Sequence, residues 1–547
     1  MRIIILLTIL FSTLWSTLLD EQLSSNLQYE NEDIKSIYKM NSNHPLWIGH
    51  AQNFHTLMKA LNDPYYNYKN KRFSLDTIEL YSHLLHNNMD INQNTQELSK
   101  LDIALTKSYI DLSKFIVKSD VDWNRVSEKL MELKESKDVK ANWEMVKKNP
   151  PSTSKLFNTI INQDIENFFK SLTPLQKRHG ELIEALQIYR NMPRLPKIPY
   201  SKSFKGLKYG DFSEKIIEIK KHLALFGDFP KQSQYSDHFG DKLKYALYSY
   251  KNRFNLEQNA IVDKITIYYL NKPTDLLVQS IITNLDKLKI FPNKFPEEYI
   301  LVNIPNFTMD YYKSGTSILR MNAVIGRGER PTPIFSSYMT YLVLNPTWNI
   351  PENLVRRDLI PTLKIEPDYM EKNNIHVFKG WNTKKEIKKL DLSKLLPYED
   401  TSKGHIPYRF VQYPGDNNAL GRVKFMFPNK YSVYLHDTDN KSLFIRRYRV
   451  YSSGCMRIQK PFELLEMLKP RLKKSDIKAI PKYRNNLKTV TLRFKKKLSV
   501  QTAYFTAFQQ DGSIYFRKDI YGYDKFIEES TTYENQESDI SSSTNMY

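Results

Sequence analysis

The residues best suited by type to covalent chemistry lie within 431–457, in the run YSVYLHDTDNKSLFIRRYRVYSSGCMR. That run holds the only cysteine of the chain, Cys455, and a histidine, His436, ahead of it. A thiolate is a strong nucleophile, and an imidazole can take a proton and return it to a leaving amine near neutral pH. Ser452, Ser453 and Gly454 precede the thiol; such small residues let the backbone turn tightly and approach a ligand. Arg457 adds a five-donor fork that can hold a carboxylate or brace the loop. Backbone amides of Cys455 and Gly454 are candidate donors to a developing oxyanion. Together these types support acyl transfer through a cysteine acyl-enzyme. The alternative for a lone cysteine is a small buried hydrophobe.

The elements that must hold these residues are strand-like. Val423, Phe425 and Phe427 alternate, Pro428-Asn429 marks a turn, and Tyr431, Val433 and Leu435 alternate again. His436 therefore falls at a strand end. Ile300, Val302 and Ile304 show the same period, as do Met321, Ala323 and Ile325. Pro461–Leu468 reads as a helix with Phe462, Leu465 and Leu468 on one side, and residues 469–497 form a basic stretch read as solvated surface. Asp511-Gly512 is a hairpin signal, and residues 527–547 read as a disordered tail.

Upstream the period is helical. Phe54, Leu57 and Leu61 recur at helical spacing, as do Leu101, Leu105 and Tyr109. Residues 20–42 read as a polar linker, and Pro193, Pro196 and Pro199 break the helical pattern. Within 205–271 three short helices are expected. They are lined by Ile216, Ile219, Leu223 and Phe226, by Leu243, Ala246, Leu247, Tyr250 and Phe254, and by Val262, Ile265 and Tyr269. Gly227 is a stop for the first.

A chain of 547 residues with 41% apolar content implies two to four globular domains. The formal charge of +21 points to an anionic partner. Because the basic residues are spread along the chain without zinc-finger or RNP-like spacing, nucleic acid is not the expected one. Met1-Arg2 and the largely apolar residues 3–15 resemble a signal segment. This predicts export to a periplasmic or envelope-facing site, with the segment either cleaved or kept as an inner-membrane anchor. One cysteine rules out an intramolecular disulfide, and the histidines show no metal-ligand spacing such as H-E-x-x-H.

His436 followed by Ser452-Ser453-Gly454-Cys455-Met456-Arg457 resembles the signature of the L,D-transpeptidase catalytic domain, the YkuD-like family. Tyr434-Leu435-His436-Asp437-Thr438, Leu443-Phe444, Pro331-Thr332-Pro333, residues 345–351, Pro414-Gly415 and residues 418–421 resemble its large YcbB-like multidomain branch. The resemblance implies a multidomain α+β fold. It has a mainly helical scaffold (30–204, with a return at 272–299) and an inserted peptidoglycan-binding-like three-helix domain (205–271). A mostly β catalytic domain follows (300–526), with a capping insert at 365–405; the signal or anchor segment is 1–18.

The same resemblance implies the chemistry. Cys455 would attack a tetrapeptide stem of peptidoglycan, release D-Ala and pass the acyl group to a neighbouring stem as a 3-3 cross-link. Cys455, His436, Gly454 and Arg457 are the expected catalytic residues, and Ser453, Tyr434, Tyr431, Arg449, Asn345 and Trp348 are expected to line the substrate cleft. The imidazole would be oriented by a backbone carbonyl beside it, so Asp437 reads as a turn residue. No cofactor is implied. Carbapenem-type β-lactams are the implied inhibitors and wall-synthesis proteins the implied partners. L,D-carboxypeptidase action, attachment of a protein to peptidoglycan, and a non-catalytic wall-binding scaffold stay open.

Overall fold

The computed structural model describes residues 13–87, 94–137, 139–380, 385–388 and 390–531. The N-terminal dozen of the expected signal segment and nearly all of the expected tail lie outside the described residues. The chain divides into two units. One comprises Met1–Val126, Met145–Phe295 and Thr506–Tyr547, and the other Ser127–Glu144 and Pro296–Phe505.

The first unit is largely helical. Its long helix Thr95–Lys118 is buried on most sides. Asp102, wholly buried in that helix, accepts from the Tyr38 hydroxyl at 2.6 Å and from the backbone N–H groups of Leu46, Trp47 and Ile48 at 2.9–3.0 Å. A buried carboxylate is tolerable only with such a set of donors. Trp47 Nε1 adds a bond to Thr106 Oγ1 at 2.9 Å, so the Pro-Leu-Trp turn is tied down at four points.

Residues 20–42 are not a linker. They fold into the end of helix Thr13–Leu27 and the whole of helix Glu32–Met40. Leu19, Leu23 and Leu27, spaced at i, i+4, are buried, and so are Ile34, Ile37 and Tyr38. Asn31 caps the second helix by accepting from Ile34 N at 3.1 Å. The same helices correct the membrane-anchor expectation: no helix among the described residues is long and apolar enough to cross a membrane. Helix Thr13–Leu27 carries Asp20 and Glu21 and buries Leu19, Leu23 and Leu27 in the protein interior.

Within 205–271, helices Glu214–Leu225, Asp241–Arg253 and Lys264–Leu270 pack beside a two-stranded ribbon of β1 (Leu207–Lys208) and β2 (Ile261–Val262). The first helix stops at Gly227, which adopts φ +80°. In the third helix Thr266, Ile267 and Leu270 are buried while Ile265 is half exposed, so the buried face is rotated from the one expected. Strands Ala507–Gln510 and Ser513–Phe516 form the expected hairpin around Asp511-Gly512, both at positive φ. Residues 523–529, partly assigned to a disordered tail, are a helix with Tyr523 and Ile527 buried.

The second unit is built on one sheet that closes on itself. Its members are β3 (Glu298–Asn303), β4 (Thr308–Lys313), β5 (Thr316–Gly326), β6 (Ser336–Leu344), β10 (Val423–Met426), β11 (Leu435–His436), β12 (Val450–Ser452), β13 (Met456–Ile458) and β14 (Val490–Ala503). The order runs β12-β5-β13-β11-β10-β6-β14-β3-β4, and β4 pairs back onto β5. Closure leaves β12 as the one strand added outside the ring and removes most exposed edges. Val423, Phe425 and Phe427 are wholly buried; Lys424, between them, turns to the other face.

Between β6 and β10 the chain makes an insert larger than residues 365–405. It has its own three-stranded sheet, β7 (Trp348–Asn349), β8 (Ile375–Lys379) and β9 (Tyr408–Gln412), in the order β7-β9-β8. It also has its own core, including Val355, Leu359, Ile360, Leu363, Leu395 and Phe410. The apolar residues of 348–363, outside the expected bounds, supply half of that core.

Candidate active site

Strand pairing alone brings the candidate residues together. His436 on β11 stands opposite Lys424 on antiparallel β10 and opposite Arg457 on parallel β13. Directly opposed residues share a face of the sheet, so Lys424, His436 and Arg457 form one cross-strand row. One pleat earlier, Tyr434 and Cys455 project from that face, since each lies two residues before a member of the row. The register is held there by Met456 N donating to Tyr434 O at 3.1 Å. Tyr434 and His436 meet edge to face with ring centroids 5.5 Å apart, and Lys424 Nζ sits 3.7 Å from the centroid of the Tyr434 ring.

The turn before the thiol is wired by small polar groups. Ser452 Oγ donates to Cys455 O at 2.5 Å and accepts from Gly454 N at 3.2 Å. The Gly454 amide is thus engaged inside the turn. Gly454 adopts φ +113°, a region that favours glycine. Its carbonyl accepts from Thr332 Oγ1 at 2.9 Å, and that hydroxyl accepts from Gly326 N at 2.9 Å. Thr332, fully buried, therefore ties the end of β5 to the cysteine loop. Arg330 Nη1 donates to Ser453 Oγ at 2.8 Å and pairs with Asp358 of the insert at 3.0 Å.

The site is cationic. Burial pushes the Cys455 thiol above its ordinary range, opposed by the Tyr434 backbone and phenol and by the charges of Lys424 and Arg457. Cys455 nevertheless keeps partial solvent exposure. Burial, then the Arg457 charge, press His436 down to about 3, with Lys424 and Lys441 adding to the effect and the Asp437 backbone carbonyl pulling the other way. Among the described residues Arg457 Nε is buried without a hydrogen-bond partner, and buried His436 Nδ1 makes no hydrogen bond of ordinary geometry, the Asp437 carbonyl acting on the imidazole less directly. Burial also lowers Arg457, against the charges of Asp439 and Cys455. Asp437 is no triad carboxylate: it accepts from Arg422 N at 2.9 Å and pairs with Lys441.

The remaining expected site residues separate into two groups. Tyr434 and Ser453 stand beside the thiol, as described. Tyr431 is partly exposed, donates to Glu144 at 3.0 Å and meets Phe335 edge-on at 5.2 Å. Arg449 is buried, and its donors go to the carbonyls of Ala323, Arg446 and Phe307 and to Asn322 Oδ1. It braces β5. Asn345 is likewise spent: its Nδ2 donates to the carbonyls of Tyr483, Asn486 and Lys488. Trp348 packs against the core of the insert.

Sequence reasoning missed Lys424, Thr332 and Arg330 as members of the site. Lys424 had a signal, the polar residue in the middle of the Val423, Phe425 and Phe427 alternation. Among the described residues no cluster of three or more His, Cys, Asp or Glu side chains could hold a metal ion.

Residues 297–477 match the L,D-transpeptidase catalytic domain family, YkuD, and residues 32–186 match the Scaffold domain family. A Haemophilus influenzae protein named as a candidate L,D-transpeptidase is 32% identical over 256 residues, 46% of this chain and 49% of the relative. The chain thus spans about half the length of that curated relative. Two solved L,D-transpeptidase structures were also found. One, from Xylanimonas cellulosilytica, is 10% identical, with 57% of this chain and 100% of the other covered at a TM-score of 0.19. The other, from Stackebrandtia nassauensis, is 12% identical, with 58% and 100% covered at a TM-score of 0.20.

Proposed function

We propose that this chain, which carries an L,D-transpeptidase catalytic domain over residues 297–477, is a peptidoglycan L,D-transpeptidase of the YcbB-like multidomain kind. The observation that carries the reading is the shared face of Cys455, His436 and Arg457 within that domain. The Cys455 thiolate attacks the carbonyl of the third residue of a tetrapeptide stem. The C–S bond forms, the C–N bond to D-Ala breaks, and the proton that leaves the thiol passes through His436 to the departing amine. The side-chain amine of a neighbouring stem then attacks the thioester; its proton returns through His436 to sulfur, leaving a 3-3 cross-link.

The Cys455 N–H is the donor proposed for the oxyanion, because the Gly454 amide is engaged by Ser452. Arg457, whose Nε lacks a partner, is suited to the stem carboxylate. Tyr434 and Ser453 flank the acyl group. The insert acts as a cap over the site, a role supported by the Arg330 link between Asp358 and Ser453. Residues 205–271 serve as the peptidoglycan-binding-like module.

The test is intact mass after incubation with tetrapeptide muropeptides, and separately with a carbapenem. The wild type should gain an acyl adduct and release D-Ala, and Cys455→Ser should do neither. Folded Cys455→Ser releasing D-Ala at the wild-type rate would end the covalent mechanism. The product then identifies the acceptor: a cross-linked dimer supports transpeptidation, and a free tripeptide would mean water is the acceptor.

A further inference from the structure

We propose that Lys424 is a positioning residue for the nucleophile: its ammonium, seated on the Tyr434 ring beside Cys455, supplies the positive field in which the sulfur ionises. The inference rests on the reading of Cys455 as the nucleophile. It starts from geometry. Lys424 lies opposite His436 in the β10–β11 register, and its Nζ is 3.7 Å from the Tyr434 ring centroid. Tyr434 in turn reaches Cys455 with both its backbone and its phenol. A lysine between Val423 and Phe425 on an alternating strand would ordinarily project into solvent. Here it is only partly exposed, and among the described residues the one charge that acts on it is that of Cys455, not a carboxylate.

A half-buried ammonium without a carboxylate needs other compensation. The face of an aromatic ring provides part of it. Burial lowers Lys424, and the charge that opposes this is that of Cys455; Lys424 in turn favours the ionised sulfur. The charged and titratable groups that face the sulfur are Lys424 from β10, Tyr434 and His436 from β11, and Arg457 from β13. Asp439 and Arg327 act one step further out, through Arg457. Arg457 and Lys424 are the cations of this set, Lys424 being lowered by its burial, and the histidine is held neutral. Lys424 and Arg457 therefore offset part of the burial that holds the sulfur as a thiol, beside an imidazole that stays neutral, and Lys424 is the cation of the two that the proposed function leaves without a substrate contact.

Because Cys455 is the only thiol of the chain, its alkylation by iodoacetamide can be followed against pH without background. Lys424→Met keeps the stem and removes the charge, and Lys424→Arg restores it. With Met, the pH midpoint of alkylation should rise by about one unit and the rate at pH 7 should fall about tenfold. With Arg, the rate should stay within about threefold of wild type. An unchanged midpoint in folded Lys424→Met, or an Arg variant as slow as Met, would overturn the inference; Lys424→Gln repeats the measurement if Met fails to fold. Alkylation reads the thiolate alone. Failure of the wild type to release D-Ala would thus strike the proposed function and leave this result standing.

Discussion

His436 and Lys424 face each other directly across β11 and β10, in a row shared with Arg457. Burial and this cationic company hold His436 down to about 3. A thiolate–imidazolium pair would need the opposite. The resting site is therefore a thiol beside a neutral imidazole, with the thiol pushed above its ordinary range.

The pH profile follows from that state. Alkylation of Cys455 should rise through a single ionisation above the usual cysteine range, with no plateau between about pH 5 and 7. A plateau there would mean a thiolate paired with imidazolium, against the geometry of the row. His436→Ala should leave the shape of this profile intact while slowing D-Ala release by about a hundredfold or more, since a proton carrier is lost.

Acid should destabilise the fold through two histidines. His436, and His179 in the helical unit, are both lowered to about 3 from 6.5, first of all by burial. A base whose folded value lies below its unfolded value binds more protons in the unfolded chain. Stability is thus present above about pH 6.5 and is lost as pH falls toward about 3. Each group contributes on the order of 1 kcal/mol per pH unit within that window. His179→Gln, which can still donate to Tyr65 O, should flatten the fall of the urea midpoint between pH 6.5 and 4.5. An equally steep fall in that variant would assign the acid sensitivity to other groups.

The parts of this architecture that local pattern encodes were legible in sequence; the parts that depend on distant partners were not. The cysteine turn, the flanking alternation and the Asp511-Gly512 hairpin follow from residues close together in the chain. Leu19, Leu23 and Leu27 are diluted by charged and amide neighbours, and their burial depends on a helix some eighty residues away. Ile265 and Ile267 differ by two positions in a seven-residue helix, too short for its period to choose the buried face. Arg449 and Asn345 were expected in the site because they fall in blocks that resemble the family. Only the fold reveals that their donors serve backbone carbonyls. The sheet of the insert begins at Trp348, before the lysine-rich stretch, where no run of charge marks its start in the sequence.

The link from the insert to the cysteine loop should govern turnover more than stability. Arg330 pairs with Asp358 at 3.0 Å and with Ser453 Oγ at 2.8 Å, and the Asp358 side chain is 45% exposed. An ion pair with so exposed a partner contributes about 1 kcal/mol or less. Asp358 lies in a π-helical turn, Val355–Leu359, a local irregularity that often marks a working part of a helix. Asp358→Asn should shift the urea midpoint little, lower kcat/KM for muropeptides about threefold to tenfold, and speed limited proteolysis within the insert. Unchanged kinetics would show the pair to be incidental to catalysis.

The anchor of the cysteine turn should be the most sensitive point of the catalytic unit outside the reacting groups. A Cβ on Gly326 would lie 2.1 Å from Arg330 O and 2.6 Å from Thr332 N, both backbone atoms that no rotamer change can move aside. Gly326→Ala must therefore displace the 330–332 segment, and with it the Thr332 hydroxyl that bridges Gly326 N and Gly454 O. The expected cost is about 2–4 kcal/mol. Thr332→Val separates the two effects: it keeps the volume, removes both hydrogen bonds and should cost about 1–3 kcal/mol. If the bridge positions the nucleophile, Thr332→Val should also lower the alkylation rate of Cys455 and the D-Ala release rate together, in protein that is folded at the assay temperature. A valine variant with reduced stability but wild-type thiol reactivity would confine Thr332 to holding the fold.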